Sequence, residues 1–295
     1  MNIALRTPGL RGPSTRDLMD RALDPYLLIG MPHMTPYGLS ETWLMKELGH
    51  RHWLMLAREL DMENADFRTA EGNEAYAAIC ATSLKAEGFG DVKANDILTI
   101  RSKLSAVSMT QTSTTHELHV KGRHIGGAEL ISTFVHRRTQ GCNRSIARVA
   151  VSKPRPEIYK PSQLSKTATD LRNRRLDRHW GLPVITAKPL QTFGFTPSPS
   201  QEFNGAGLFY FAEFQAMAER ALETFIPDKP PTTHREVFFL GNIETNENVF
   251  FDLLCCNAQT ETFHGQLRRT TGKIIATMFI RCNGVAGTSN GPPSL

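Results

Sequence analysis

The stretch Glu202-Phe-Asn-Gly-Ala-Gly-Leu-Phe-Tyr-Phe-Ala-Glu-Phe-Gln215 decides how this chain is read. It passes from a polar, glycine-containing turn into a helical pattern. Leu208, Phe211, Ala218, Ala221, Leu222 and Phe225 recur at three- and four-residue intervals, so one apolar stripe runs along a helix that ends near Phe225. Such a helix is expected to be buried and central. Before it lies an extended segment, Lys188–Phe195, and a turn at Pro197–Pro199. After it come four strand-like runs, His234–Leu240, Val249–Cys256, Glu261–Thr270 and Lys273–Cys282, and Gly272 supplies the positive φ of the hairpin turn between the last two.

Working outward, the same order of signals occurs earlier in the chain. An extended segment, Tyr26–Met31, leads through a turn at Pro32–Gly38 to a helical pattern over Leu39–Glu47. Strand runs follow at Ala75–Leu84, Asp96–Ala106, Ser113–Val120, Ala128–His136 and Ser145–Ser152. Strand, turn, long helix and then several antiparallel strands is the order of a hotdog fold, and its repetition indicates an internal duplication. The expected architecture is α+β, a double hotdog in which each half wraps a curved antiparallel sheet round a helix. Residues 1–25 read as an N-terminal arm, 26–155 as the first half, 156–185 as a basic linker, 186–283 as the second half and 284–295 as a tail.

With 40% hydrophobic and 21% charged residues, the composition is that of an ordinary globular chain and excludes a disordered or membrane-spanning one. No window reaches the apolar length of a bilayer span, and Met1–Ala22 lacks the apolar centre of a signal peptide, so a cytoplasmic location is expected. Cys80, Cys142, Cys255, Cys256 and Cys282 are scattered without C-x-x-C spacing, which argues against a disulfide framework or a zinc site. The net charge of +5 is concentrated at Lys166, Arg172, Arg174, Arg175 and Arg178. That cluster fits either a solvated linker or a docking patch for phosphate or an acidic carrier protein, with Arg174 and Arg175 as the phosphate-binding candidates. Nucleic acid is disfavoured, because no stacking or DNA-binding pattern accompanies the charge.

In the Glu202–Gln215 stretch, Gly205 and Gly207 would let backbone approach a ligand, and free N–H groups of a helical first turn could receive a carbonyl gaining negative charge. Asn204 either bonds that carbonyl or simply caps the helix. The counterpart in the first half, Met31–Glu41, offers His33 as acid or base, Tyr37 and Ser40 as hydroxyl donors, Glu41 as a carboxylate and Gly38 for close approach. Capping by Ser40 and a dipole effect of Glu41 are the plainer reading. His50 and His52 have no third ligand at metal spacing and read as surface or carrier-docking histidines. Tyr76 reads as a strand aromatic of the core, and Ser108–Thr115 as a solvated hairpin.

The second-half residues Asn204, Gly205, Gly207, Leu208, Tyr210, Phe211 and Ala212, together with Phe239-Leu-Gly-Asn242, resemble the LnmK family of bifunctional acyltransferase/decarboxylases of polyketide biosynthesis. The similarity extends over most of residues 26–283, though the first half matches only in helix pattern, Gly49, Trp53 and strand order. The resemblance implies a double hotdog that takes a malonyl- or methylmalonyl-type group from coenzyme A, decarboxylates it and delivers it to the phosphopantetheine of an acyl carrier protein. It implies no cofactor beyond the CoA thioester substrate, with Gly207 and Asn242 beside the pocket. The tyrosine acyl acceptor of the family has no match in the first-half helix, where His52, Trp53 and Leu54 stand, and Tyr37 is the nearest substitute. A hotdog thioesterase using Glu41 or Glu213, a dehydratase and a non-catalytic carrier-binding module are the other readings, and a homodimer is left open.

Overall fold

A computed structural model describes residues 12–151, 158–184 and 188–282. The tail expected at 284–295, residues 1–11 of the arm and residues 156, 157 and 185 of the linker lie outside these. The first part of the chain forms α1 (Thr15–Ala22), β1 (Tyr26–Leu28), a small ladder of β2 (Met34–Thr35) and β3 (Gly38–Leu39), α2 (Glu41–Glu59), β4 (Tyr76–Lys85), β5 (Ile97–Ser108), β6 (Gln111–Val120), β7 (Arg123–Arg137) and β8 (Ile146–Arg148). The linker holds α3 (Gln163–Arg172) and a short ladder of β9 (Arg178–His179) and β10 (Leu182–Pro183). Then come β11 (Gln191–Phe195), α4 (Phe211–Phe225), β12 (Thr232–Phe239), β13 (Val249–Asn257), β14 (Thr262–Arg269) and β15 (Ile274–Cys282).

One antiparallel sheet runs β1-β5-β6-β7-β4-β12-β15-β14-β13-β11, with β8 added against β7. The series β1, α2, β4, β5, β6, β7 therefore corresponds, element by element, to β11, α4, β12, β13, β14, β15, and each half has the same strand order about its own helix. The halves join through β4 and β12, paired from Ala81↔Phe238 to Lys85↔His234. This is the expected double hotdog.

Strand alternation separates two faces. On the inner face, α4 packs Phe214, Met217, Ala218, Ala221 and Leu222 against Val237, Phe251, Met278 and Ile280, while α2 packs Leu44, Met45 and Leu48 against Leu98, Ile100, Leu118 and Leu130. On the outer face, Leu164 and Ala168 of α3 cover Cys80, Ile131, Phe238 and Phe279. The linker thus roofs the seam between the halves.

Several local expectations are corrected. The arm contains α1, set by a reciprocal capping box of Ser14 and Asp17, and its Met19 is buried with Leu54, Leu56 and Phe67. The helix read over Leu39–Glu47 runs to Glu59, so Gly49 lies inside it. A Cβ at Gly49 would come within 2.6 Å of the Phe211 ring, so the missing side chain lets α2 and α4 meet. Among the described residues no helix is long and apolar enough to cross a membrane.

Candidate active site

Beyond Ala81 and Phe238 the central ladder opens. The start of β4, from Tyr76 to Cys80, bonds only to β7, while Phe239 pairs with β15 and the chain leaves the sheet at Leu240. A cavity of about 1220 Å³ fills this split. Its walls include Tyr76, Ala78, Val135 and Arg148 from the outer face and Ala77, Ile79, Gly49 and Trp53 from the inner side, so it passes through the sheet. The inner end is apolar, built of Trp53, Phe67, Phe209, Phe211, Phe214 and Phe239.

The first turn of α4 borders that end. Its N-cap, Tyr210, provides no side-chain cap, and the N–H groups of Phe211 and Ala212 precede the reach of any intrahelical carbonyl. Burial and the nearby Glu213 push the Tyr210 hydroxyl up to about 12, so it stays protonated, and it donates to the Lys46 carbonyl at 3.4 Å. Lys46 also meets Glu213 at 2.6 Å, fastening α2 to α4 beside the opening.

Asn204 does not open the helix, which starts at Phe211. The Asn204 side-chain oxygen accepts from the N–H groups of Ala206 at 3.1 Å and Leu208 at 3.0 Å, forming a self-contained loop. The turn chemistry of Asn-Gly imitates a helix cap at the sequence level, which explains the misplacement. The loop nevertheless lies where a site was expected, since Asn204, Gly205 and Ala206 line the cavity. Gly207 does not, and its carbonyl accepts from Asn143 at 2.8 Å. Asn242 lines the cavity, but its amide is engaged in both directions with the Phe209 backbone, each bond 3.0 Å.

First-half residues hold the loop. Arg137 bonds the carbonyl of Ala206 and grips Asn143 at 2.8 and 3.0 Å, and buried Asn143 also donates to the Ile243 carbonyl at 2.7 Å. The same Arg137 donates to the Tyr76 hydroxyl at 2.9 Å, and that hydroxyl donates to Glu74. Tyr76 is therefore a polarised phenol of the cavity wall and not a core aromatic. Burial and Glu74 raise its pKa, so the proton stays on oxygen. Sequence spacing carries no signal for a Glu74–Tyr76–Arg137–Asn143 chain whose members come from a strand start, a strand end and a loop.

The four first-half candidates lie elsewhere. His33 accepts from the Gly30 N–H at 3.0 Å and stacks on Trp43, Tyr37 is exposed, and Ser40 caps α2 through the Trp43 N–H at 3.2 Å. Gly38 makes its close approach to protein: at φ 113° a Cβ would lie 2.1 Å from the Phe89 carbonyl. Glu41 sits in a partly buried quartet around buried Arg235, its carboxylate accepting from Arg235 at 3.1 Å, while Arg235 also meets Glu219, itself 2.7 Å from Lys229. Burial raises Glu41, whereas Arg235 and Lys229 overcome burial at Glu219 and hold it down to about 2. The α2 start, equivalent by duplication to the α4 start, is thus filled by charge pairs. The backbone there is closed as well, with the Ala86 N–H bonded to the Thr233 carbonyl at 2.8 Å.

His52 is buried, contrary to the surface reading, and Thr114 of the supposedly solvated hairpin is buried beside it; exposed His50 lines the cavity. Arg174 and Arg175 do not line the cavity, whereas Arg172, one turn earlier, does.

No family model matches the chain, and no curated protein matches it by sequence. Among solved structures, the chain is similar to an acyl-ACP thioesterase from Bacteroides thetaiotaomicron at 13% identity and TM-score 0.59, covering 87% of this chain and 95% of that one. It is similar also to the 12:0-ACP thioesterase from Umbellularia californica at 8% identity and TM-score 0.62, with 87% and 95% covered. Identities this low carry the fold alone, and together with the duplicated topology they establish that the chain is a double hotdog protein.

Proposed function

We propose that the chain is an acyl-thioester enzyme whose single reactive centre lies in the split between β4 and β12, and that it hydrolyses an acyl group carried on an acyl carrier protein or on CoA. The carrying observation is the through-sheet cavity that ends at the first turn of α4. A thioester carbonyl placed there would meet N–H groups and the positive end of a helix as its oxygen gains charge. The apolar end would hold the acyl chain and exclude water from it. Glu74, already a proton acceptor from Tyr76, supplies the base for water entering from the outer side. Water oxygen bonds to the acyl carbon and its proton passes to the Glu74 carboxylate; the carbonyl then re-forms as the C–S bond breaks, and the departing thiolate takes that proton back from the Glu74 carboxyl.

The second reading is transfer with decarboxylation of a malonyl-type group from CoA to a carrier protein. Tyr76 favours it, because a phenol in the cavity wall can accept an acyl group where the first-half helix has no tyrosine.

Incubation with decanoyl-, malonyl- and methylmalonyl-CoA, with and without a holo carrier protein, separates the two by intact-mass spectrometry. Free acid and free thiol are expected. Acyl carrier product lighter by carbon dioxide supports the second reading, and no turnover of any thioester, free or carrier-bound, overturns both.

A further inference from the structure

We propose that Arg148 and Arg172 seat the phosphate of a phosphopantetheine-type thiol carrier at the outer mouth of the cavity. This rests on the reading of the cavity as a thioester site and specifies which end the carrier occupies. Arg148 lies in a cross-strand row with Val135 and Tyr76, so it shares their outer-face side of the sheet. Arg172 reaches the same cavity from the last turn of α3, the helix that roofs the seam. Of the five lysine and arginine side chains lining the cavity, Arg144 and Arg269 face Glu247 and Lys273 follows the hairpin turn of the second half, whereas among the described residues the guanidiniums of Arg148 and Arg172 have neither an ion pair nor a hydrogen bond. Two unpaired guanidiniums reach one opening from separate elements, which suits an anion with several acceptor oxygens.

Both line the cavity together with Cys80. Burial pushes the thiol of Cys80, in the cavity wall, upward, and Gln111, Arg172 and Arg148 pull against it. The linker therefore does more than join the halves, since through α3 it contributes one side of the mouth. An acyl group directed inward to α4 leaves the carrier's phosphate outward, where these cations stand.

The test is direct binding, which needs no turnover. Calorimetric titration compares 4′-phosphopantetheine with pantetheine, CoA as the soluble source of the same phosphate, and a holo carrier protein with its apo form. Phosphopantetheine is expected to bind the wild-type protein about tenfold tighter than pantetheine, with the preference shrinking as salt rises. Arg148→Gln combined with Arg172→Gln should abolish the preference, and Arg174→Gln, outside the cavity, should keep it. Equal binding of the two small ligands by the wild-type protein overturns the proposal. So does an effect of the double variant on apo carrier protein alone, which would make the patch a protein-docking face. A protein that shows the preference yet turns over no thioester keeps this site and loses the enzymatic reading.

Discussion

Acidification from pH 7 to 5 should weaken this fold through two buried histidines, one on α2 and one on β6. The His52 ring nitrogens lie 2.8 Å from the Thr114 hydroxyl and 2.7 Å from that of Ser132, and His116 lies 2.8 Å from Ser102 and 3.0 Å from the same Thr114. Burial lowers both to about 3, with His52 and Arg51 adding repulsion at His116. An unfolded histidine titrates at about 6.5, so between that pH and the folded value the unfolded chain binds more protons and stability falls as pH falls. Each ring, neutral in the fold and protonated when unfolded, should cost about 2 kcal/mol at pH 5 relative to pH 7, or about 4 kcal/mol for the pair. His234 and His264, lowered to about 4, slope the same way, so the contribution of this pair must be taken by difference. Urea unfolding of the wild-type protein and of His52→Gln/His116→Gln at intervals from pH 4.5 to 7 provides it. The variant should be less stable at pH 7 but flatter, by about 1 kcal/mol per pH unit on average over this range for each histidine removed. A variant with the full wild-type slope would show that these rings are not neutral in the fold, and the argument would fail.

Arg235→Met removes the cation shared by Glu41 and Glu219 and should cost about 2–3 kcal/mol in urea unfolding, because the partly buried Glu41 carboxylate is left unpaired while Glu219 keeps Lys229; a loss under about 1 kcal/mol would contradict the quartet. Gly49→Val drives a side chain into the Phe211 ring, so thioester turnover should fall at least about tenfold with a native circular dichroism spectrum, and unchanged turnover would remove Phe211 from the site. Asn204→Ala strips the acceptor from two N–H groups and should cost about 1–2 kcal/mol, while Asn204→Asp retains it. Thermal melts rank these two, and if both abolish turnover without loss of stability, the amide itself binds substrate.

How much could be read in advance follows from the range of the interactions. The run Val249–Cys256 forms β13 at Val249–Asn257, because alternation between a packed inner face and a partly covered outer one is a local property. The body of α4 was legible for the same reason, from its stripe. Its start was not, since Tyr210 carries no cap while Asn204, six residues earlier, has every mark of one. Helix α3 was obscured by its polar sequence, in which only Leu164, Ser165, Thr167 and Ala168 are buried, although Ser162 does cap it at the Ser165 N–H. The cavity wall lay beyond reach: Arg137 bonds residues 61 positions before it and 69 after it.

The two halves share one topology and differ in what stands at the equivalent helix starts. At α4 an aromatic residue without a side-chain cap adjoins a sheet that has parted, and the parting is possible because the chain after Phe239 leaves β4 unpaired. At α2 a serine cap, the Glu41–Arg235 ion pair and a closed backbone ladder occupy the same place. The charges there are not a substitute pocket, since burying Glu41 without Arg235 would be costly and burying both together is tolerable only while their partners fill the space. Fusion makes this division available: two identical subunits would have to open or seal both crossings alike, whereas one chain with two unequal halves can give the split to the thioester and the twin crossing to stability. Substitutions on the two sides should accordingly separate, with changes at Tyr76, Arg137 and Phe211 acting on turnover and changes at Glu41, Glu219 and Arg235 acting on unfolding.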